Sequence, residues 1–261
     1  MAIPSETLGE REAAAARGVV YGLLARSFAY PSPEHLDVLR DRIRFVVREL
    51  VTSDAVLDGL LAEVARGLKA SLDELRDAHA LLFTHIEPVD YPPYESAYCS
   101  ADIFRQADTM ADVAAFYLAH GLQVGGVERE RPDHVATELD FMGLMAVKEA
   151  YALEHLGSEQ VDECRRTQDH FLRDHLGCWA PGLGQRLATL AQHPFHRALG
   201  ALLAHWLEAD MANLGVEPVV MLDEPIPPTE IDDGACGIDT ACFAEDSADA
   251  VPVEIGPRRE R

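Results

Sequence analysis

Helix-forming segments separated by glycine and proline make up most of this sequence, and they constrain the fold more than any other feature. Apolar residues recur at spacings of three and four, as in Val20, Leu23, Leu24 and Phe28, which places them on one face of a helix. No segment shows a sustained alternation of polar and β-branched apolar residues, so strands are not needed. We find no internal repeat. The sequence therefore predicts an all-α fold.

Capping residues and helix breakers divide the sequence into about eight or nine expected helices. Ser71 and Glu74 form a capping box, and Asp54 precedes an apolar-periodic run as an N-cap. Gly157 and Gly177 are expected to end the helices before them, because glycine adopts the left-handed conformation of a helix C-terminus easily. The predicted helices cover residues 6–29, 33–50, 54–68, 71–84, 102–120, 132–156, 158–176, 183–191 and 194–211. We expect a single-domain helical bundle over residues 1–214.

The composition changes near Gly215, and residues 215–261 are expected to form an irregular acidic tail. No Lys or Arg lies between Arg197 and Arg258, whereas acidic residues and prolines are frequent there. Such a segment buries too little apolar surface to fold on its own, so we predict an extended or disordered tail. Two roles stay open for it. It is either a solvated extension or a segment that folds back and masks a groove until a partner arrives.

The charge of the chain excludes some partners and favours others. With 45 acidic and 22 basic residues, the formal net charge is -23 at pH 7. This charge repels nucleic-acid phosphates and anionic membrane surfaces and favours basic partners. No apolar run approaches the ~20 residues that span a bilayer, and residues 1–17 contain no apolar core of an export signal. We expect a cytoplasmic protein that binds no nucleic acid and has no stable membrane association.

Motifs of the common enzyme classes are missing from the sequence. The five cysteines are scattered without a Cys-x-x-Cys pair, so neither a disulfide framework nor a zinc site is expected. Cys236 and Cys242 lie in the tail, where we expect exposed thiols and keep a redox pair as the alternative. There is no nucleophile elbow, phosphate-binding loop or dinucleotide fingerprint. We therefore predict no catalytic residue, cofactor or metal.

Two polar clusters separated by one predicted helix are the candidate functional region. The first, residues 87–98, is stiffened by prolines that disfavour helix. Its tyrosines either cover the core or form a recognition platform of rigid amphipathic rings. The second, residues 131–142, opens a helix, with Pro132 near its first turn. We expect the clusters to form two walls of one groove, rimmed by carboxylates that suit Arg or Lys of a partner: Glu87, Asp90, Glu95 and Asp133.

A metal site is the alternative for the second cluster. His134 and Glu138 are four residues apart and share one helix face, as two metal ligands can, and the candidates for completing such a site are Asp133, Asp90 and His85. A helical metal-dependent hydrolase that uses His134 and Glu138 is therefore the second functional hypothesis. The structural alternative for this pair is a hydrogen bond at the start of a helix.

The two clusters resemble the motifs of a known family. Leu82-Phe83 precedes the segment 92–98, and Pro132-Asp133-His134 is followed by Glu138-Leu139 and Phe141-Met142. This arrangement resembles the TorD/DmsD/NarJ family of molybdoenzyme maturation chaperones, and His175 with Trp179 is similar to the family's His-x-x-x-Trp pattern. The resemblance covers about residues 11–214. Tyr94 departs from it, because family members often carry Trp there, and the acidic tail has no counterpart.

The resemblance implies an all-helical, non-catalytic chaperone that acts in the cytoplasm. Its client, the protein that it binds, would be the catalytic subunit of a molybdopterin oxidoreductase of the dimethyl-sulfoxide-reductase type. The chaperone would bind the twin-arginine signal peptide or N-terminal region of that subunit until the molybdopterin is inserted and export can begin. The binding residues implied here are Leu82, Phe83, Pro93, Tyr94, Ser96, Tyr98, Asp133 and His134.

Overall fold

Helices and their connections account for the part of the chain that the computed structural model describes, residues 5–49, 54–83, 91–125 and 130–227. The elements are α1 (Ser5–Phe28), α2 (Pro33–Glu49), α3 (Ala55–Gly67), α4 (Leu72–Phe83), α5 (Ser96–Cys99), α6 (Ile103–Ala119), α7 (Val135–His155), α8 (Ser158–Phe171), a π segment (Leu172–Leu176), α9 (Gly177–Leu190) and α10 (Pro194–Leu214). These ranges contain no strand, so the predicted all-α fold is confirmed. Their helices are too short or too polar to cross a membrane.

Side-chain caps begin several helices where the sequence predicts them. The Asp54 carboxylate accepts hydrogen bonds from the amides of Val56 and Leu57. The capping box forms as expected: the Ser71 amide donates to Glu74 at 2.8 Å, and the Glu74 amide donates to the Ser71 hydroxyl at 3.2 Å. Each cap satisfies amides that have no partner within the helix.

The predicted helix end at Gly177 is wrong, and so is the late start at residue 183. The helix continues from α8 through the π segment into α9, with Pro181 inside it. Pro181 cannot donate a backbone hydrogen bond. Trp179 and Leu183 on either side of it are completely buried, and their burial outweighs that loss. The short helix α5 was not predicted, and α7 begins at Val135 rather than at Pro132.

Close packing of α1 against α7 forms one side of the core. A Cβ atom on Gly18 would lie 2.8 Å from Cγ2 of Val147, and one on Gly143 would lie 3.3 Å from the Gly22 amide nitrogen. Residue numbers rise along α1 as they fall along α7, so the two helices are antiparallel. Glycine therefore sets how closely the two backbones approach.

A buried ion cluster ties this helix pair to α10. Nε of Arg17 donates to Asp210 at 2.6 Å, and the Tyr21 hydroxyl donates to the same carboxylate at 2.7 Å. Nη1 of Arg17 also lies 3.4 Å from the Glu149 carboxylate on α7. Because each charge has a partner of opposite sign, the cluster is compatible with burial.

The described chain after Gly215 is irregular rather than helical, with bends at Val219 and Glu224. Gly215 ends α10 in the left-handed conformation, with φ of 70°. We call residues 216–227 the strap. Its backbone amides bond to carbonyls of the π segment, α9 and α5. The remainder of the predicted tail, with Cys236 and Cys242, lies outside the described residues. So do His85, Glu87 and Asp90.

Candidate functional site

The two sequence clusters meet directly in a short antiparallel contact. Tyr94 and His134 form an isolated β-bridge. The Glu95 amide donates to the carbonyl of Asp133, and the Val135 amide donates to the carbonyl of Pro93, each at 2.9 Å. We call residues 93–98 and 131–135 the corner. The two clusters therefore lie side by side, and the groove that they were expected to form stays a prediction.

Asp133 lies inside the corner and is already paired within the chain. Its carboxylate is inaccessible to solvent and accepts from Nε of Arg131 at 2.9 Å and from Nη2 at 2.8 Å. The same Nη2 donates to the Ser96 hydroxyl at 2.8 Å, and the Arg131 guanidinium lies 4.3 Å from the centre of the Tyr94 ring. The bidentate pair leaves Asp133 no exposed oxygen for a partner's arginine. Asp133 is therefore not a carboxylate on the groove rim.

Glu95 is also buried, and it pairs with the histidine of the His-x-x-x-Trp pattern. Nδ1 of His175 lies 3.2 Å from the Glu95 carboxylate. Burial raises the pKa of Glu95 above its usual value, although the His175 contact opposes this shift. Burial by itself would lower the pKa of His175, but its contact with Glu95 and the charges of Asp112 and Asp174 together raise that pKa. The expected exposure of Glu95 on the rim is therefore wrong, because its charge is compensated inside the helical domain.

Glu138 and Trp179 form the second polar contact of this interior. Nε1 of Trp179 donates to the Glu138 carboxyl group at 3.2 Å. Burial, followed by the neighbouring Glu95 carboxylate, raises the pKa of Glu138 well above its usual value. The ring of Tyr98 contacts Trp179 with a centroid distance of 5.2 Å. Tyr98 therefore covers the core, which is one of the two roles predicted for the tyrosines of the first cluster.

His134 caps α7, and this geometry gives the proposed metal pair no support. Its Nδ1 atom accepts from the Ala136 amide at 3.1 Å, and burial lowers its pKa to about 4. The Glu138 carboxyl group accepts the hydrogen bond from Trp179 described above. Within the described ranges, His, Cys, Asp and Glu side chains form no group of three that could hold a metal ion. The alternative of a hydrogen-bonded residue at a helix start matches His134.

The eight predicted binding residues differ in how far a partner can reach them. Phe83 and Tyr94 are partly exposed, and the other six are buried. Leu82 borders a cleft of about 510 Å³ that Tyr91 and His193 also line. Phe83 packs beside it, 4.9 Å from the ring of His79. Of these eight residues, Phe83 and Tyr94 therefore have the most accessible side chains, and five of the buried residues belong to the corner.

Exposed acidic groups stand near the corner, and the sequence analysis did not select them. Burial raises the pKa of Tyr94, and the nearby Glu130 carboxylate adds to that shift. Asp112 on α6, whose side chain is largely exposed, lies 4.0 Å from Nε2 of His175. Neither residue belongs to a recognisable motif. Their position became visible only when α6 and the segment before α7 were placed beside the corner.

A cavity lies on the other side of α7 from Trp179. Its volume is about 640 Å³, and α1, α7 and residues 122–125 line it. Ala136 and Thr137 place one end of it next to the corner. None of the eight predicted binding residues lines it, so sequence reasoning missed this cavity. Its lining mixes glycines and apolar residues with scattered polar ones such as Arg26 and Asp140, and it carries no motif that would have selected it.

Comparison with known proteins assigns the chain to a family. Residues 51–184 match the sequence model of the nitrate reductase delta subunit family. The match covers half of the chain and includes both clusters and the His-x-x-x-Trp pattern. This chain belongs to the nitrate reductase delta subunit family. The resemblance found in the sequence is therefore confirmed.

Relatives in this family carry names of chaperones and assembly proteins rather than catalysts. The chain is 27% identical over 118 residues to the chaperone protein TorD of Vibrio vulnificus, covering 45% of this chain and 54% of that protein. It is 28% identical over 109 residues to a chlorate reductase assembly chaperone of Ideonella dechloratans, covering 42% and 54%. It is 29% identical over 106 residues to a selenate reductase assembly chaperone of Thauera selenatis, covering 41% and 53%.

These family relationships cover only part of each protein. The chain spans about half the length of the curated relatives that it matches. Among solved structures, a candidate redox enzyme maturation protein from Archaeoglobus fulgidus superposes with a TM-score of 0.49 at 18% identity, covering 73% of this chain and 93% of that one.

Proposed function

We propose that this protein is a maturation chaperone for the catalytic subunit of a molybdopterin-dependent oxidoreductase. The observation that carries the proposal is the family match over residues 51–184 together with relatives named as reductase assembly chaperones. In this proposal the protein acts in the cytoplasm and has no catalytic role. It holds the catalytic subunit while the molybdopterin is inserted and, for an exported enzyme, before export.

The client segment that we propose is its signal peptide or N-terminal region, with two arginines followed by apolar residues. Phe83 and Tyr94, the partly exposed members of the predicted set, would contact it with their rings. Its arginines would pair with the exposed carboxylates of Glu130 and Asp112, since Asp133 and Glu95 are paired internally. The helical domain that precedes Gly215 would be the chaperone domain.

Co-purification from the native host tests the client class. We expect a large molybdopterin-dependent subunit to co-purify with the wild-type chain and to be identified by mass spectrometry. Tyr94→Ala should lower its recovery at least tenfold, because it removes a partly exposed ring of the corner. Tyr151→Ala is the matched control, since Tyr151 is an exposed tyrosine near the far end of α7. A client retained equally by both variants would place the binding surface away from the corner.

Titration with a synthetic twin-arginine peptide tests the ionic part of the proposal separately. We expect the double variant Glu130→Gln, Asp112→Asn to bind the peptide more weakly than wild type at low salt. The difference should shrink as salt is added, because exposed charges are screened. Equal affinity of the variant and wild type at low salt would contradict the assignment of these two carboxylates.

A further inference from the structure

The strap lies on the helical domain as a bound peptide would, held by main-chain hydrogen bonds. Val219 donates its amide hydrogen to the carbonyl of Arg173 at 2.9 Å, and Leu222 donates to the carbonyl of Cys178 at 2.8 Å. Arg173 belongs to the π segment, where the regular helical bonding pattern is interrupted. Main-chain bonds of this kind are how proteins bind extended peptides with little dependence on sequence.

The far end of the strap reaches the corner. The Ile226 amide donates to the carbonyl of Ala97 at 2.9 Å, and Ala97 lies in α5 between Ser96 and Tyr98. The strap therefore follows a path from the π segment, along α9, to the loop that carries the predicted client-binding residues. A peptide that leaves the corner in this direction meets the strap.

Gly182 makes room for the strap backbone. A Cβ atom on this residue would lie 2.8 Å from Cα of Asp223 and 2.8 Å from the carbonyl oxygen of Leu222. Real Cβ atoms do not approach backbone atoms this closely, and the strap would have to move away. Glycine is unfavourable inside a helix, so its position in α9 is explained by the peptide that crosses it.

Side chains contribute little to holding the strap. Val216 and Leu222 pack partly against the core, but Val219, Val220, Met221 and Ile226 are between 40% and 64% exposed. Glu224 lies 3.8 Å from Arg186, and its side chain is 83% exposed. The strap is thus held mainly through its backbone, which any extended segment can imitate.

We propose that the surface along α9, from Arg173 in the π segment to Ala97 in α5, is a binding groove for extended peptides. The strap is the ligand that occupies this groove in the free protein. An extended segment of the client displaces the strap and forms the same bonds to the carbonyls of Arg173, Cys178 and Ala97. Displacement of the strap by the client rests on the proposed function, whereas the existence of the groove does not. The strap would then shield the groove, and the adjoining edge of the corner, until a client is present.

A labelled synthetic peptide with the sequence of residues 216–227 is the probe for the groove. Leu222→Pro in the full chain removes the amide that bonds to Cys178 and the partly buried side chain, so it should release the strap. We expect the probe to bind Leu222→Pro at least tenfold more tightly than wild type, measured by fluorescence anisotropy. Adding Gly182→Ala should abolish this gain, because the new Cβ closes the groove.

Gly59→Ala is the matched control for the second substitution. Gly59 is also a helical glycine, but nothing lies within 4 Å of a Cβ at that position. The pair Leu222→Pro, Gly59→Ala should therefore bind the probe as Leu222→Pro does. Equal binding by wild type and Leu222→Pro, or a gain that survives Gly182→Ala, would overturn the groove.

Hydrogen exchange checks that the strap, and not the helix, has moved. The amides of Val219 and Ile226 should be protected in wild type and lose protection in Leu222→Pro, while amides of α9 stay protected. Gly182→Ala alone should also release these two amides. Retained protection in both variants would overturn the proposal. If α9 itself loses protection in Leu222→Pro, Val219→Pro replaces it in every comparison, with the amides of Leu222 and Ile226 as the exchange readout, because proline at 219 has no amide hydrogen.

Recovery of the client from the native host tests the displacement step. We expect more of the co-purifying subunit with Leu222→Pro and less with Gly182→Ala. Unchanged recovery in both, with the probe binding as expected, would keep the groove and overturn displacement by the client. Dimers of the wild-type chain that Gly182→Ala dissociates would assign the groove to the strap of a second copy and overturn displacement as well. If no client co-purifies at all, the function fails while the probe experiment still decides the groove.

Discussion

At the scale of single residues, three buried acids lie in or beside the corner, and they differ in how their charge is compensated. Glu95 has His175 beside it and Asp133 has Arg131, so each of these carboxyl groups has a basic partner. Glu138 instead receives a hydrogen bond from the neutral indole of Trp179. Burial and the Glu95 carboxylate raise the pKa of Glu138 well above the usual value, which favours its protonated form.

Substitution of Glu138 tests this protonation state. Glu138→Gln has nearly the shape of the protonated acid and can still accept from Trp179, so the free energy of unfolding should change by less than about 1 kcal/mol. Glu138→Ala leaves a cavity and an unpaired indole N–H, and should cost about 2–4 kcal/mol. Urea unfolding at pH 7 measures both. If Gln destabilises as much as Ala, the group carries a charge that the fold requires.

Sequence reasoning could not reach these residue-scale contacts. It selected Asp133, Glu95 and His134 because of their types and spacing, and the structure does bring them together. Their burial depends on Arg131 and His175, and His175 lies eighty positions from Glu95. A carboxylate on a rim and a carboxylate paired inside have the same sequence signature. The tertiary partner decides between them, and local sequence does not encode it.

At the scale of elements, the local signals predicted most helices because their causes are local. A capping box joins residues three apart, as in Ser71 and Glu74, so it can be read without knowing the fold. The join of α8 to α9 was missed because glycine and proline signals there compete with core packing. Trp179 and Leu183 gain more from burial than Pro181 loses by breaking one backbone bond.

Packing of α9 against α10 gives a prediction at this scale. A Cβ on Gly200 would lie 2.5 Å from Cβ of Leu187 and 2.6 Å from the carbonyl oxygen of Gly184. Gly200→Ala should therefore lower the free energy of unfolding by about 1–3 kcal/mol, although alanine is the better helix former. Gly59→Ala, with open space around it, should raise that free energy by up to about 1 kcal/mol. Chemical denaturation of both variants measures this, and a stabilised Gly200→Ala would mean that the two helices are not in close contact.

At the scale of the whole molecule, buried titratable groups lower the stability of the folded state at both low pH and high pH. Burial lowers the pKa of His134 to about 4 and that of His196 to about 3. The folded state holds both neutral, so the stability they contribute is lost as pH falls below the unfolded value of ~6.5. Glu95, Glu138 and His175 have raised pKa values, and their contribution falls as pH rises. We therefore expect stability to be greatest between these two limits.

His134→Asn isolates the contribution of one histidine to the loss of stability at low pH. Asparagine is a good N-cap, so the amide of Ala136 keeps an acceptor and stability at pH 7.5 should change by less than about 1 kcal/mol. Wild type should lose up to about 3 kcal/mol through His134 between pH 7 and pH 4, and the variant should not show this loss. Urea unfolding across this range measures the difference. Parallel curves for the two proteins would mean that His134 can be protonated without cost in the folded state.

The π segment sets the rotation of α9 relative to α8 within the helix that they form together. A π-turn contains one residue more than a regular α-helical turn. Deleting any one of residues 172–176 would therefore restore the regular turn. Every later residue of the helix would then rotate by about 100° relative to α8. Trp179 would turn away from Glu138, and Gly182 would turn away from the strap. A natural relative that lacks this residue therefore has to build both the interior below α9 and the surface above it differently.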